Sequence, residues 1–213
     1  MTSLEPSTVS QPSQACSNQD VGASRKATLR RNLIRDRQEM PEFDRTLATS
    51  RIAAMLQQRA REESWRCIAV YLPWRGEPDL RSLWQEWQQA GLSLALPVVV
   101  GSSQALEMRH WTGGADFASD LMGLPVPATG SPLTCDTWII PCVGVGPTGE
   151  RLGAGKGFYD RSIAGLRAAE PTGVLQPRFI GICFGRGEIA EPFAEPHDQR
   201  LDACLTDRGW RWF

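Results

Sequence analysis

Residues 137–161 read T-W-I-I-P-C-V-G-V-G-P-T-G-E-R-L-G-A-G-K-G-F-Y-D-R. The opening four residues are apolar and β-prone, as in a strand covered on both faces. Six glycines then fall within fourteen residues, interleaved with Arg151 and Lys156. Glycines let successive backbone amides turn toward one point and let a ligand approach the chain closely. A helix starting near Tyr159 aims its positive end at the same point. Strand, glycine loop and helix in that order describe an anion cradle at the carboxyl end of a strand in an α/β domain.

Working outward, the hydrophobic period alternates between helix and strand. Ser24 caps a predicted helix over 24–38, with Leu29, Leu33 and Ile34 on one face and six Arg or Lys residues elsewhere around it. A second helix follows Pro41, with Phe43, Leu47, Ala54 and Met55 at helical spacing, and fades over 59–63. Leu80, Leu83, Trp84 and Trp87 mark a third helix ended by Gly91, which makes both indoles core residues. A fourth spans 160–169. Strands are expected at 66–72, 92–96 (stopped by Pro97), 106–111, 137–140, 178–184 and 201–206, and 112–132 is a long surface excursion. The alternation predicts a three-layer α/β domain over 24–213, its mainly parallel sheet flanked by helices, after a disordered tail over 1–23. Trp210 and Trp212 find no place in this scheme.

The 213 residues are 41% apolar and carry a formal net charge of −1, which fits one domain and gives no electrostatic reason to expect nucleic acid or an anionic membrane as partner. A monomer acting on small molecules is expected. Six scattered cysteines without a C-x-x-C pair read as reduced core thiols. The amino-terminal stretch lacks an apolar block, and its basic residues Arg25 and Lys26 sit at the helix start, so a cytoplasmic location is expected.

Two common phosphate motifs fail at the glycine loop. A Walker loop requires Ser or Thr after Lys156, where Gly157 stands, and a glycine where Glu150 stands. Gly144, Gly146 and Gly149 satisfy G-x-G-x-x-G, but Pro147 follows where a dinucleotide-binding helix begins, leaving a nicotinamide-dependent oxidoreductase as a weak alternative. Arg151 and Lys156 suit a polyphosphate, and Asp160 stands where a carboxylate holds Mg²⁺ against phosphate oxygens. By residue type alone Lys26 and Arg30 read as a solvated helix face, Glu77 as a loop acid and His197 as a turn residue.

Residues 149–161 match G-x-R-L-G-x-G-x-G-[YF]-Y-D-R throughout, and here the sequence resembles the 5-formyltetrahydrofolate cyclo-ligase family. Fainter features follow in family order: Lys26 and Arg30, Glu77, Leu96-Pro97, the run 106–111, Glu195 to Asp198, Leu201-Asp202 and Thr206-Asp207. The resemblance implies a fold shared with coenzyme A transferases and ribose-5-phosphate isomerases, and ATP-dependent closure of 5-formyltetrahydrofolate to 5,10-methenyltetrahydrofolate. It implies that Lys26, Arg30, Arg151, Leu152, Gly153, Ala154, Gly155, Lys156, Gly157, Phe158 and Tyr159 contact ATP, with Arg151 and Lys156 carrying the catalysis. Asp160 and Asp198 would bind Mg²⁺, and Glu77 would contact the folate. A flat pterin also calls for aromatic walls, for which Trp74, Trp111, Phe158 and Tyr159 are candidates.

Three positions depart from the family pattern. Val126 and Gly146 stand where acids are usual, and Gly187 stands where glutamine is usual. They motivate a second reading, a homologue that binds nucleotide or folate without turning it over.

Overall fold

A computed structural model describes residues 15–169 and 176–213, with side chains from Arg25 onward. Its element order is α1 (Ala15–Gln38), α2 (Glu42–Glu62), β1 (Cys67–Ala69), α3 (Arg81–Gln89), β2 (Ser93–Val98), β3 (Glu107–His110), β4 (Phe117–Ser119), β5 (Pro125–Pro127), β6 (Thr137–Pro141), β7 (Gly144–Val145), β8 (Arg151–Leu152), α4 (Phe158–Ala168), β9 (Arg178–Ile182), a 3₁₀ turn (Gly185–Gly187), β10 (Ala203–Thr206) and β11 (Gly209–Trp212). Seven strands form one sheet in the order β11-β10-β9-β6-β1-β2-β3. The five central strands are parallel, and β3 and β11 close the two edges antiparallel. The expected mainly parallel α/β sheet is therefore present.

Both faces of the sheet are apolar because alternate strand residues serve opposite layers. Ile68, Leu94, Ile139 and Ile180 share one core with Ile52 and Leu56 of α2 and Leu83, Trp84 and Trp87 of α3. Ala69, Ala95, Trp138, Ile140 and Phe179 share the other core with Ile163 of α4. Helix α1 lies on neither sheet face. Its Leu29, Leu33 and Ile34 pack instead on a small cluster of Val143, Leu152 and Phe193 beyond the strand ends. That docking brings a basic helix to the carboxyl edge of the sheet.

Several expectations change in detail. Helix α1 begins at Ala15, ahead of Ser24, and residues 1–14 of the expected tail lie outside the described residues. In α2 the buried stripe is Ala48, Ile52, Leu56 and Ala60, while Phe43 in the first turn is 79% exposed. Strand β2 continues through Pro97 rather than stopping there. The Ala95 carbonyl bonds the Val70 amide on the β1 side, and Pro97, two residues on, faces that same side after β1 has ended, so its missing N–H breaks no ladder. The excursion over 112–132 contains the β4–β5 hairpin. Trp210 and Trp212 belong to the edge strand β11, stacked at 5.5 Å with Arg59 lying over both rings. Among the described residues no helix is long and apolar enough to cross a membrane, and five cysteines are free thiols.

Candidate nucleotide and substrate site

The chain leaves β6 at Pro141, runs through β7, turns over 146–150, returns as β8 and enters α4 through 153–157. The turn is closed by Gly146 N–H donating to Glu150 O at 2.8 Å and Thr148 N–H donating to the Glu150 carboxylate at 2.9 Å. Glu150 is only 1% exposed, and a side chain at 146 would overlap its carboxylate. In this chain an acid from position 150 therefore fills the space beside position 146. The departure at Gly187 is also steric, since a side chain there would press on the Val143 carbonyl at 2.9 Å. Val126 is simply buried.

Arg151, 8% exposed, donates from Nη2 to Asp160 Oδ2 at 2.8 Å and lies over the Tyr159 ring at 5.2 Å. Its guanidinium occupies the volume that a side chain at 153 would need, which explains Gly153. Arg30 reaches over from α1, donates from Nε to Gly153 O at 2.7 Å and rests against Gly155. Burial lowers the Arg30 pKa, and the neighbouring Arg151 charge lowers it further, with Asp198 opposing. Two guanidiniums thus flank one loop. Gly157, with φ of 68°, caps α4 in the left-handed conformation that glycine tolerates best. Past the loop, the Arg161 amide donates to Gly157 O at 3.0 Å, and none of the amides over 153–160 donates to a backbone carbonyl among the described residues. These are the orphan donors of a helix start, and they remain available to an anion.

Lys156 is exposed at the crest of the loop, beside exposed Ala154 and Gly155. The Leu152 side chain is buried against α1, so only its backbone faces the loop. Phe158 lies under the Arg161 guanidinium at 4.9 Å, and burial pushes the Tyr159 hydroxyl pKa up. Lys26 is nearly buried, so it is no solvated-face residue. Its ammonium bonds Glu195 Oε2 at 2.9 Å and also Asp198 Oδ2. Asp198 accepts the Glu195 amide at 2.6 Å, and Asp160 Oδ1 accepts the Gln199 amide at 3.3 Å. The segment that carries Asp198 therefore touches both Lys26 and Asp160.

Ligand atoms of Glu195, His197 and Asp198 lie within 4.8 Å of one another. Carboxylate oxygens are the donors Mg²⁺ takes, usually one or two of them completed by substrate phosphates and water. Asp198 belongs to this group and Asp160 does not, and each of the two carboxylates is paired with a cationic side chain, Lys26 and Arg151 respectively.

The substrate-side candidates divide. Glu77 sits in the turn after β1, where its carboxylate accepts the Trp74 amide at 3.0 Å and lies 3.7 Å from Arg37 Nη2. Burial raises its pKa to about 7, with Arg37 and the Trp74 amide pulling the other way. Trp74 is half-exposed beneath the Arg75 guanidinium at 4.2 Å. Trp111 is not brought to this site. Its amide pairs with Leu94 O at the amino end of β2, at the opposite edge from the glycine loop, and its ring joins the core of Trp84 and Trp87. The L-x-M-x-x-W spacing predicts Trp111 at the end of a strand, and it directly follows β3, but strand direction decides which end of the sheet it serves. Arg37 was not singled out beforehand, because a basic residue on a basic helix carries no distinguishing signal.

A model of the 5-formyltetrahydrofolate cyclo-ligase family matches residues 22–207. A protein of Mycolicibacterium smegmatis described as a 5-formyltetrahydrofolate cyclo-ligase is 27% identical over 194 residues, covering 86% of this chain and 94% of that protein. One of the same description from Mycoplasma pneumoniae is 36% identical over 81 residues, 37% of this chain and 43% of that protein. The solved structure of Aquifex aeolicus 5,10-methenyltetrahydrofolate synthetase shares the fold, with a TM-score of 0.74 at 23% identity over 88% of this chain and 92% of that one. The family match spans the glycine loop, Lys26 and Arg30 of α1 and the acids over 195–198, and the chain belongs to the 5-formyltetrahydrofolate cyclo-ligase family.

Proposed function

We propose that this ligase uses ATP to close 5-formyltetrahydrofolate to 5,10-methenyltetrahydrofolate, with the residues of the glycine loop and α1 in defined roles. The observation that carries the reading is the juxtaposition of Arg30 and Arg151 across a loop of unengaged amides. Like charges held together at low dielectric repel, and a bound polyanion relieves that repulsion.

The reaction has two steps. The formyl oxygen on N5 attacks the γ-phosphorus and ADP leaves, which turns a poor leaving oxygen into a phosphate ester. N10 then attacks the activated carbon and gives up its proton, hydrogen phosphate departs with the electrons of the C–O bond, and the ring closes as the amidinium cation. Phosphoryl transfer of this kind depends on positioning and charge neutralisation more than on a protein nucleophile. Arg151, oriented by Asp160, and Lys156 contact the transferring phosphoryl group and carry the catalysis. The amides over 153–159 and Arg30 hold the remaining phosphates, and Phe158 and Tyr159 border the nucleotide. Lys26 completes the cationic lining from α1. Asp160 and Asp198 would hold Mg²⁺, which would neutralise phosphate charge when bound. Glu77 contacts the folate, with Tyr159 between the two ligands. The reading takes the chain as a cytoplasmic monomer, and the free thiols among the described residues suit a reducing compartment.

Mixing purified protein with Mg-ATP and 5-formyltetrahydrofolate while following the methenyl absorbance tests this directly. A rise that depends on both substrates is expected. ATP binding without that rise would replace the reading with a nucleotide-binding homologue.

A further inference from the structure

Arg37 occupies the last turn of α1 at 5% exposure, yet the acid nearest it is 3.7 Å away. Its guanidinium is directed mainly at carbonyls: Nε donates to Arg75 O at 3.0 Å, Nη2 to Trp74 O at 3.3 Å and Nη1 to Cys142 O at 3.3 Å. Cys142 directly follows β6, at the root of the glycine segment, whereas Trp74, Arg75 and Glu77 form the turn after β1. One side chain therefore bonds both ligand-bearing segments. The turn also needs holding, because Arg75 has φ of 48° and Gly76 of 77°, the former unusual for a residue with a side chain. Arg45 of α2 fixes the guanidinium's own support by donating to the carbonyls of Arg37, Gln38 and Met40. A buried charge is a poor way to gain stability alone, since an apolar side chain of similar size commonly does as well.

We infer that Arg37 is a positioning residue for the cyclisation, tying the turn that presents Glu77 to the root of the nucleotide loop and so fixing the two substrates relative to each other. The inference rests on the reaction proposed above. The charged and titratable groups around Glu77 are Arg37 of α1, Arg45 of α2, Tyr71 and Asp79 on either side of the turn, Cys142 after β6 and Tyr159 of α4. Of these, Arg37 is the cation that favours the ionised carboxyl.

The test compares full-length wild type, Arg37→Met, Arg37→Lys and Glu77→Gln, measuring KM for each substrate and the pH dependence of kcat/KM. Arg37→Met is expected to raise KM for 5-formyltetrahydrofolate about tenfold or more while KM for ATP stays within about threefold, as misplacement of one substrate predicts. The pH limb that Glu77→Gln abolishes should move to higher pH in Arg37→Met, because the cation stabilising the carboxylate is gone. Arg37→Lys keeps the charge but not the three carbonyl bonds, so its limb should stay while the folate KM rises. Equal changes in both KM values, or none, overturn the inference, as does an unmoved limb in Arg37→Met. Should Arg37→Met fail to fold, the KM split in Arg37→Lys decides alone. A wild type without turnover overturns the reaction and this inference together, whereas an active wild type with no split overturns only this one.

Discussion

The nucleotide half of the site and the folate half are built in opposite ways. The first centres on one continuous segment, 146–160, backed by Arg30 of α1, and in it steric need and function coincide: Gly153 is glycine because Arg151 lies on it, and Arg30 rests against Gly155. The second is assembled from the end of β1, the end of β6 and the last turn of α1, and a single guanidinium holds it. The first half sets its charges around a loop whose crest, residues 154–156, is exposed, while the assembled half buries its carboxyl, whose pKa rises to about 7. Local sequence can write a charged loop, but a buried proton-sensitive acid needs walls from several elements.

The contrast can be broken by substitution. Arg151→Ala should have the largest effect, a loss on the order of 10²- to 10³-fold in kcat/KM, as for removal of one preorganised donor to a charged transition state. Steady-state kinetics with either substrate varied would show it, and a loss below tenfold would remove Arg151 from the chemistry. Glu77→Gln sharpens the other half through pH. The native state raises the Glu77 pKa from 4.5 to about 7 and so favours the protonated acid. Stability from this group is fully present below 4.5 and is lost as pH rises through about 7. The loss amounts to roughly 3 kcal/mol. Chemical denaturation across that window should show wild type losing stability relative to Glu77→Gln, and parallel curves would refute the buried-acid picture.

Gly146→Asp tests whether the nucleotide half tolerates the family's usual acid. With Glu150 already in that space, the variant should lose about 1–3 kcal/mol by overpacking, visible as a lowered Tm. Adding Glu150→Gly should restore part of it. The smallest effect is expected outside both halves: Phe43→Ser, at an exposed position, should change stability by no more than about 0.5 kcal/mol.

The difference also sets what could be read in advance. The Trp84 and Trp87 stripe and the glycine loop rest on near neighbours in sequence, the parallel sheet on the alternation of helix and strand periods, and each is where its pattern put it. Residues whose role depends on a distant partner were less legible. Phe43 and Leu47 kept helical spacing, yet the face that meets the sheet is the one through Ile52 and Leu56. Trp111 follows the expected strand but sits at the end of the sheet away from the loop, since β3 runs antiparallel to β2. Lys26 and Arg30 resembled solvated cations until α1 was seen docked beyond the strand ends. Trp210 and Trp212 make sense only with Arg59, from another helix, lying across them.

The sheet order has a kinetic consequence. Its middle is made by β1 against β6, with Ile68 beside Thr137, so the centre of the molecule joins segments separated by α3 and the four strands β2 to β5. Closing so wide a loop must precede the contacts that reward it, which slows such folds relative to helical bundles. The unit from β1 through α3 to β2 can form first, because its pairing is short-range. Until β6 arrives, that unit exposes one unpaired parallel edge, and refolding at high concentration should therefore compete with association through it.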